Sequence, residues 1–254
     1  PNSLVIVISQ SGETLDTMAA LREARRLGAK ILSIVNVVGS SIARESDDVL
    51  YTWAGPEIAV ATTKAYSTQL VLLDMLGVYF AKICGSINDT AYEEIVEELL
   101  ALPVKMEAVL DDIDEIKYLA SRYFNHNSIF FIGRNLDYAL GLEGSLKLKE
   151  ISYIHSEAYA SGELKHGTIS LIEDGTLVVA LGTYKPLFEK TLSNIIEVKA
   201  RGADIVALTT ESKAADMRKT AENVLSVPDT HVILQPSLGV IPLQLFAYYV
   251  ALHK

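Results

Sequence analysis

The sequence predicts an α/β fold made of two tandem domains, each a parallel sheet flanked by helices in a doubly wound, flavodoxin- or Rossmann-like arrangement. Leu4–Ile8 is a run of Leu, Val and Ile without polar alternation, which is typical of a strand buried on both faces. A polar loop follows, then an apolar helical stripe over Leu15–Leu27 that Gly28 is expected to cap, and a second strand over Lys30–Val35. Such a βαβ unit pairs its strands in parallel.

An internal repeat predicts the second domain. The same order of elements returns with a strand at 178–182, a helix at about 186–201 and a strand at 205–208. Three short words recur at a nearly constant spacing: Gly28-Ala29-Lys30-Ile31 as Gly202-Ala203-Asp204-Ile205, Val49-Leu50 as Val224-Leu225, and Gln69-Leu70 as Gln244-Leu245. A spacing held across several elements indicates two copies of one fold.

The second copy contains more than the first. It opens with a strand at Ile129–Ile132, a loop at Gly133–Asn135 and a helix from about Tyr138 to Ile151, and nothing equivalent precedes Leu4. We therefore expect the first copy to be truncated and to lack its leading strand. The predicted domains are 1–87 and 126–254, joined over 88–125 by helices that break at Pro103.

Composition narrows the class of protein. Half of the 254 residues are apolar and a fifth are charged, which is enough for a large core without metals or disulfides. A net charge of −10 disfavours nucleic-acid and membrane-surface partners, and the single Cys84 fits a reducing, cytoplasmic location. The most apolar stretch, Tyr66–Ile83, is interrupted by polar residues and is predicted to be a buried helix. Because Pro1 leads straight into a strand, the chain is expected to begin inside a domain.

The loop Ser9-Gln10-Ser11-Gly12-Glu13-Thr14 is the first candidate site. It lies between a buried strand and a helix, where free helical N–H groups and hydroxyl donors favour an anion such as phosphate. Ligands of open α/β sheets also bind at the carboxyl ends of the strands. An ordinary helix N-cap is the alternative, since Ser and Thr are common there.

Two further clusters carry ionisable groups. Glu143, Lys147 and Glu150 share one helix face, where they form either ordinary solvated ion pairs or a general base beside an ammonium group. The segment Ser161–Gly167 places His166 on a predicted turn and short helix, where a structural role is the alternative to a catalytic one. Neither the histidines nor the cysteine show metal-ligand spacing, and dinucleotide and Walker motifs are absent, so we predict no metal and no cofactor.

Several longer words resemble one known family. They are Ser9–Thr14, Asn36–Ser46, Ala54–Ile58, Thr63–Ala65, Leu142–His155 and Gly162–Gly167. In this order they are similar to the isomerase half of the glucosamine-6-phosphate synthases, which consists of two sugar isomerase (SIS) domains, and the resemblance covers essentially the whole chain.

The resemblance implies a role for each candidate residue. The phosphate of fructose 6-phosphate would be held by Ser9, Gln10, Ser11 and Thr14, and its sugar would be lined by Val60 and Thr62. Glu150 would shuttle a proton between C1 and C2 with help from Lys147, and His166 would open the sugar ring from the partner subunit of a homodimer. The product would be glucosamine 6-phosphate, made with ammonia that a glutaminase domain releases from glutamine.

The chain also departs from the family pattern. Thr62 replaces the usual Ser, and Thr168 replaces the usual Pro after His-Gly. The family's glutaminase domain, the leading loop of its first SIS domain and a C-terminal tail with an imine-forming lysine lie outside the sequence, so we expect this chain alone to be inactive or weakly active. Two alternatives remain open: another SIS-domain phosphosugar isomerase or deglycase, and a non-catalytic module that senses sugar phosphates.

Overall fold

The computed structural model describes residues 2–254, and the chain divides into two compact units, the first ending at Gly77 and the second running over Val78–Lys254. The predicted α/β class is confirmed, since both units contain a parallel sheet with flanking helices. None of the helices within residues 2–254 combines the length and the apolar character needed to cross a bilayer.

The first unit contains a three-stranded parallel sheet in the order β1-β2-β3. Its elements are β1 (Leu4–Ser9), α1 (Leu15–Arg26), β2 (Lys30–Val35), α2 (Ser41–Glu45) and β3 (Asp48–Tyr51), followed by α3 (Lys64–Ile83), which crosses the boundary between the units. Gly28 adopts φ +83° after α1, as the sequence predicted for a helix that ends in a left-handed cap.

Only one face of the first sheet is fully covered within this unit. Val7, Met18 and Leu21 meet Ile31 and Val35 in a buried core beneath α1 and α2. The prediction that β1 is buried on both faces is wrong, because the alternate side chains of this strand are 38–48% exposed: Leu4, Ile6 and Ile8. A local run of apolar residues shows that a strand fits an apolar environment, but it does not show that a second layer of structure is there.

The second unit contains a five-stranded parallel sheet in the order β5-β4-β6-β7-β8. Its strands are β4 (Ser128–Gly133), β5 (His155–Ala160), β6 (Leu177–Gly182), β7 (Asp204–Thr210) and β8 (Asn223–Val227). Its helices are α4 (Asp89–Asp111), α5 (Asp114–Tyr123), α6 (Leu136–Ser152), α7 (Ser161–Leu164), α8 (Phe188–Lys199), α9 (Glu211–Met217) and α10 (Gln235–His253). This strand order is that of flavodoxin-like doubly wound folds.

Helices cover both faces of the second sheet. On one face, Phe188 and Ile195 of α8 and Met217 of α9 pack on alternate residues of β4, β6 and β7. On the other face α6 lies against β4 and β5 and also against α10. Gly144 permits this close approach, since a Cβ there would lie 2.8 Å from a methyl carbon of Leu243.

The internal repeat corresponds to real elements. In the repeat, β1, β2 and β3 correspond to β6, β7 and β8, and α3 corresponds to α10. The described residues of the first unit contain no counterpart of β4, β5 and α6. The edge strand β5 was missed from the sequence, because His-Ser-Glu-Ala-Tyr-Ala carries little apolar character.

Two expectations about helices need correction. Pro103 does not break the chain but lies inside α4, whose buried residues Ile95, Leu102 and Val109 recur every seven positions and hold the helix together across the proline. The break comes instead between Asp111 and Asp114. The apolar stretch 66–83 is helical but not buried, since several of its large side chains are exposed: Met75, Tyr79, Phe80 and Ile83. The domain bounds 1–87, 88–125 and 126–254 remain predictions.

Candidate active site

The polar loop 9–14 leaves the carboxyl end of β1 and leads into the first turn of α1. The Ser9 and Thr14 hydroxyls are 3.0 Å apart across the loop, and the Gly12 amide donates to the Ser9 Oγ at 3.0 Å. The Glu13 amide donates to the Ser11 Oγ at 3.2 Å. Thr14 occupies the N-cap position of α1, but its hydroxyl makes no capping hydrogen bond. Thr14 is therefore not an ordinary N-cap residue, which was the alternative to an anion site.

A second loop, after β2, packs directly against the first. Gly12 adopts φ +68°, and a Cβ at this position would lie 2.0 Å from the Ser40 Oγ. The Ser41 amide donates to the Glu13 carboxylate at 2.7 Å, and these contacts with Ser41 hold the pKa of Glu13 below its usual value. Only glycine fits the position next to Ser40. Because the two loops are in contact, they form one polar surface at the carboxyl edge of the sheet.

Two polar groups in these loops are buried without a hydrogen-bond partner: the Gln10 Oε1 and the Ser40 Oγ. Buried polar atoms are normally paired, so unpaired ones at a strand's carboxyl end are suited to a ligand. Ser40 was not among the predicted site residues. The signal that could have found it is the word Gly39-Ser40-Ser41, which follows the neighbouring parallel strand and must therefore reach the same edge of the sheet.

Val60 and Thr62 lie on the irregular segment between β3 and α3. The Thr62 hydroxyl donates to a carboxylate oxygen of Glu57 at 2.7 Å, and this bond keeps the pKa of Glu57 below its usual value. Val60 is 99% exposed. Within the described part of the chain, no hydrogen bond or ion pair joins Val60 or Thr62 to the loop 9–14.

The predicted carboxylate–ammonium stripe lies on α6 in the second unit. Lys147 is only 4% exposed, and its Nζ lies 2.6 Å from Glu150 Oε2 and 3.7 Å from Glu143 Oε1. The alternative of solvated surface pairs is wrong, because the ammonium group is buried between two carboxylates. Glu150 keeps a third of its side chain exposed, so it can reach a ligand while Lys147 holds it.

Glu143 is the buried member of this trio. Its Oε1 has no hydrogen-bond partner, and the distance to Lys147 is that of an ion pair rather than a close hydrogen bond. Burial raises the pKa of Glu143, the positive charge of Lys147 opposes the rise, and the negative charge of Glu150 adds to it. The Lys147 ammonium group therefore forms ion pairs with two carboxylates, of which Glu143 is the more deeply buried and Glu150 is partly exposed.

His166 follows the short helix α7 at the carboxyl end of β5. Its amide donates to the Glu163 carbonyl at 3.0 Å, and the residue is exposed. Within residues 2–254 no hydrogen bond or ion pair joins the His166 ring to Glu150 or Lys147. The same residues contain no group of three or more His, Cys, Asp or Glu side chains arranged to hold a metal ion.

Comparison with known proteins places the chain in a family. The SIS domain profile matches residues 1–79 and 122–254. The chain belongs to the SIS domain family. Each matched segment contains one of the two parallel sheets, so the chain carries two SIS domains.

Two relatives and two solved structures show how similar the chain is. The glutamine–fructose-6-phosphate aminotransferase (isomerizing) of Clostridium tetani is 57% identical over 253 residues, which are 100% of this chain and 41% of that protein. An enzyme of the same name from Thermus thermophilus is 46% identical over 98% of the chain and 41% of its own length. The chain thus spans about two fifths of the length of these relatives.

Among solved structures, the C-terminal domain of glucosamine-fructose-6-phosphate aminotransferase from Francisella tularensis superposes with a TM-score of 0.94 at 40% identity. The match covers 99% of this chain and 71% of that one. Tagatose-6-phosphate ketose/aldose isomerase from Escherichia coli shares the fold, with a TM-score of 0.77 at 18% identity over 98% of the chain and 68% of its own.

Proposed function

We propose that this chain is the isomerase part of a glutamine–fructose-6-phosphate aminotransferase. The observation that carries the proposal is the identity of 57% to the Clostridium tetani enzyme along the whole chain. The polar loop 9–14 and the buried Lys147 agree with it, because sugar-phosphate chemistry needs an anion site and a placed base.

In this proposal the first SIS domain binds the substrate. Ser9, Gln10, Ser11 and Thr14 hold the phosphate of fructose 6-phosphate, and Val60 and Thr62 line the sugar. Hydroxyl, amide and backbone N–H donors suffice for a phosphate at a helix N-terminus, where the helix dipole favours negative charge. The unpaired Ser40 hydroxyl lies beside the same loop and supplies a further donor.

The second SIS domain supplies the acid–base groups. His166 moves a proton on the ring oxygen so that the sugar opens, and ammonia replaces the C2 carbonyl oxygen, which leaves as water. Glu150 then moves a proton from C1 to C2, while the C1 hydroxyl loses its proton and the imine nitrogen gains one, so that the C2 imine becomes an amine and C1 becomes an aldehyde. Lys147 holds the Glu150 carboxylate in position through the 2.6 Å contact.

Partners follow from the same proposal. A glutaminase domain in the intact enzyme releases ammonia from glutamine, a tail lysine activates the sugar carbonyl, and the enzyme works in the cytoplasm. His166 acts from the partner subunit of a homodimer, which agrees with its exposed position on the turn that follows α7.

The experiment that tests the proposal uses the full-length enzyme that it implies. Ser11→Ala should weaken fructose 6-phosphate binding by about 1–3 kcal/mol, the usual effect of removing a donor to a charged group. Calorimetry measures this, with Ser3→Ala as a control, since Ser3 lies at the other end of β1. An unchanged dissociation constant for Ser11→Ala would remove the loop from the phosphate site.

Sedimentation tests the dimer. A species of twice the subunit mass is expected at micromolar concentration, and His166→Ala should leave it intact while it slows ring opening. A monomer with full isomerase activity would contradict a role for His166 across subunits.

A further inference from the structure

We infer that Arg134 is a positioning residue that fixes the segment Ser161–Gly167, and with it the imidazole of His166, at the carboxyl edge of the second sheet. The inference rests on the proposed function of His166. Gly133 and Ala160 are paired in register at the ends of β4 and β5, so Arg134 and Ser161 leave the sheet side by side. Arg134 is therefore placed to reach the segment that carries the histidine.

The contacts of Arg134 show what it does there. A Cβ added to Gly162 would lie 3.2 Å from its Nη2 and 3.3 Å from its Nη1, so the guanidinium group packs against the Gly162 backbone. Its Nε–H donates to Asn194 Oδ1 at 3.0 Å, and the buried Asn194 in turn donates to Glu197 at 3.0 Å. Arg134 thus joins the turn after β4 and helix α8 to the segment above them.

The backbone of Arg134 is itself held in one place. At Gly133, a Cβ would come within 2.4 Å of the Asp137 carbonyl group, so only glycine allows the chain to turn here. Asn135 completes the turn with φ +55°. A tight turn that starts a 17-residue helix gives the arginine a rigid base.

Two side chains of the segment that carries His166 are buried, those of Ser161 at its start and of Leu164. Leu164 is buried in the core with Phe130 and Ile132, whereas His166 is exposed and its ring has no hydrogen bond within the described residues. The position of the imidazole is therefore set by its backbone. Loss of Arg134 would remove the contact at Gly162, so the chain from Ser161 to His166 would be held less firmly.

Activity and rescue provide the first test, in the full-length enzyme. Arg134→Ala should lower kcat for isomerisation by about 10- to 100-fold, the effect of a displacement near 1 Å of a catalytic group. The dissociation constant for fructose 6-phosphate should stay unchanged, since the loop 9–14 belongs to the other unit. Added guanidinium ion should restore part of kcat, whereas Arg134→Lys should not, because an ammonium group cannot pack flat on Gly162 and bond Asn194 at once. The exposed Arg218→Ala is the matched control and should behave as wild type.

A double-mutant cycle tests the contact itself. Gly162→Ala should lower kcat by pushing the guanidinium group away, and it should have little further effect once Arg134 is alanine. Additive effects of the two substitutions would overturn the inference, as would an unchanged kcat for Arg134→Ala.

Hydrogen exchange separates this inference from the proposed function. Amides of residues 161–167 should exchange faster in Arg134→Ala, with β4 and β6 unchanged and no such effect in Arg218→Ala. If the wild-type enzyme has no isomerase activity but this exchange pattern appears, the proposed function fails and the positioning role stands. If the enzyme is active and the exchange of 161–167 does not change, the positioning role fails.

Discussion

Replacing Lys147 with methionine removes the ammonium group that Glu143 and Glu150 share, while it keeps most of the side-chain volume. Removing one partner of a buried ion pair costs roughly 3–5 kcal/mol, because the remaining charge is left without compensation. Glu150 is a third exposed and recovers its hydration, whereas the Glu143 side chain is only 10% exposed. We therefore expect a loss of about 3 kcal/mol at neutral pH, the lower end of that range.

The loss should depend on pH in a defined direction. Burial already raises the pKa of Glu143 above its unfolded value of 4.5, and the positive charge of Lys147 limits that rise. Without Lys147 the pKa rises further, so the folded variant takes up a proton more readily than the unfolded chain does. A group with a raised folded pKa is least harmful below its unfolded pKa and destabilises as pH rises through its folded pKa. The deficit of Lys147→Met should therefore be largest at pH 8 and shrink toward pH 4.5.

Hydrogen exchange of α6 amides is the suitable assay, because the single tryptophan, Trp53, lies in the first unit and does not report on the second. Lys149→Met is the matched control: it removes an exposed ammonium group two residues further along the same helix. Glu143→Gln added to Lys147→Met should recover part of the lost protection. Equal losses for the two lysine variants, or a deficit that does not change with pH, would refute the buried-charge reasoning.

Two further predictions concern the strand ends of each unit. Gly12→Ala should destabilise the first unit by roughly 1–3 kcal/mol and weaken fructose 6-phosphate binding, measured by urea unfolding and calorimetry, because of backbone strain and the overlap with Ser40. Gly39→Ala is its control: it also has a positive φ, but its Cβ would meet no atom within 4 Å, and a loss equal to that of Gly12→Ala would refute the overlap. In the second unit, burial opposes ionisation of Asp229, but bonds from Lys185 and Ser212 outweigh it and lower its pKa to about 2. An NMR titration should place its midpoint near this value, and Lys185→Met should raise it; a midpoint that does not move would contradict the Lys185 contact.

Much of the fold was predictable because its signals are local or repeated. The strand Lys30–Val35 and the cap at Gly28 were predicted as the structure has them, since an uninterrupted apolar run and a glycine after a helical stripe depend on few neighbours. The repeat added the correspondence between the two sheets. What failed depended on contacts across the fold: the exposed face of β1, the continuous helix through Pro103 and the polar edge strand β5.

The candidate site divides in the same way. The shared face of Glu143, Lys147 and Glu150 follows from helix geometry alone, but whether the lysine is solvated or buried depends on the packing of α6 on its neighbours. The sequence around Ser40 and around Arg134 does not by itself indicate that either residue belongs to a site. Each becomes part of a site only because parallel pairing brings the ends of two neighbouring strands together.

The repeat also gives a reason to expect phosphate binding in only one of the two similar domains. At the spacing of the repeat, Ser9 is equivalent to Thr183 and Ser11 is equivalent to Lys185. In the second unit the donors at these positions are already used: the Thr183 hydroxyl and the Tyr184 amide donate to the buried Asp137 at 2.5 and 2.9 Å, and the Lys185 Nζ lies 2.5 Å from Asp229. The protein's own carboxylates therefore satisfy groups that a phosphate would need. The first copy keeps the unpaired Ser40 hydroxyl at the same edge, so we expect the phosphate to bind there. In the proposed function the second copy contributes α6 and the segment that carries His166.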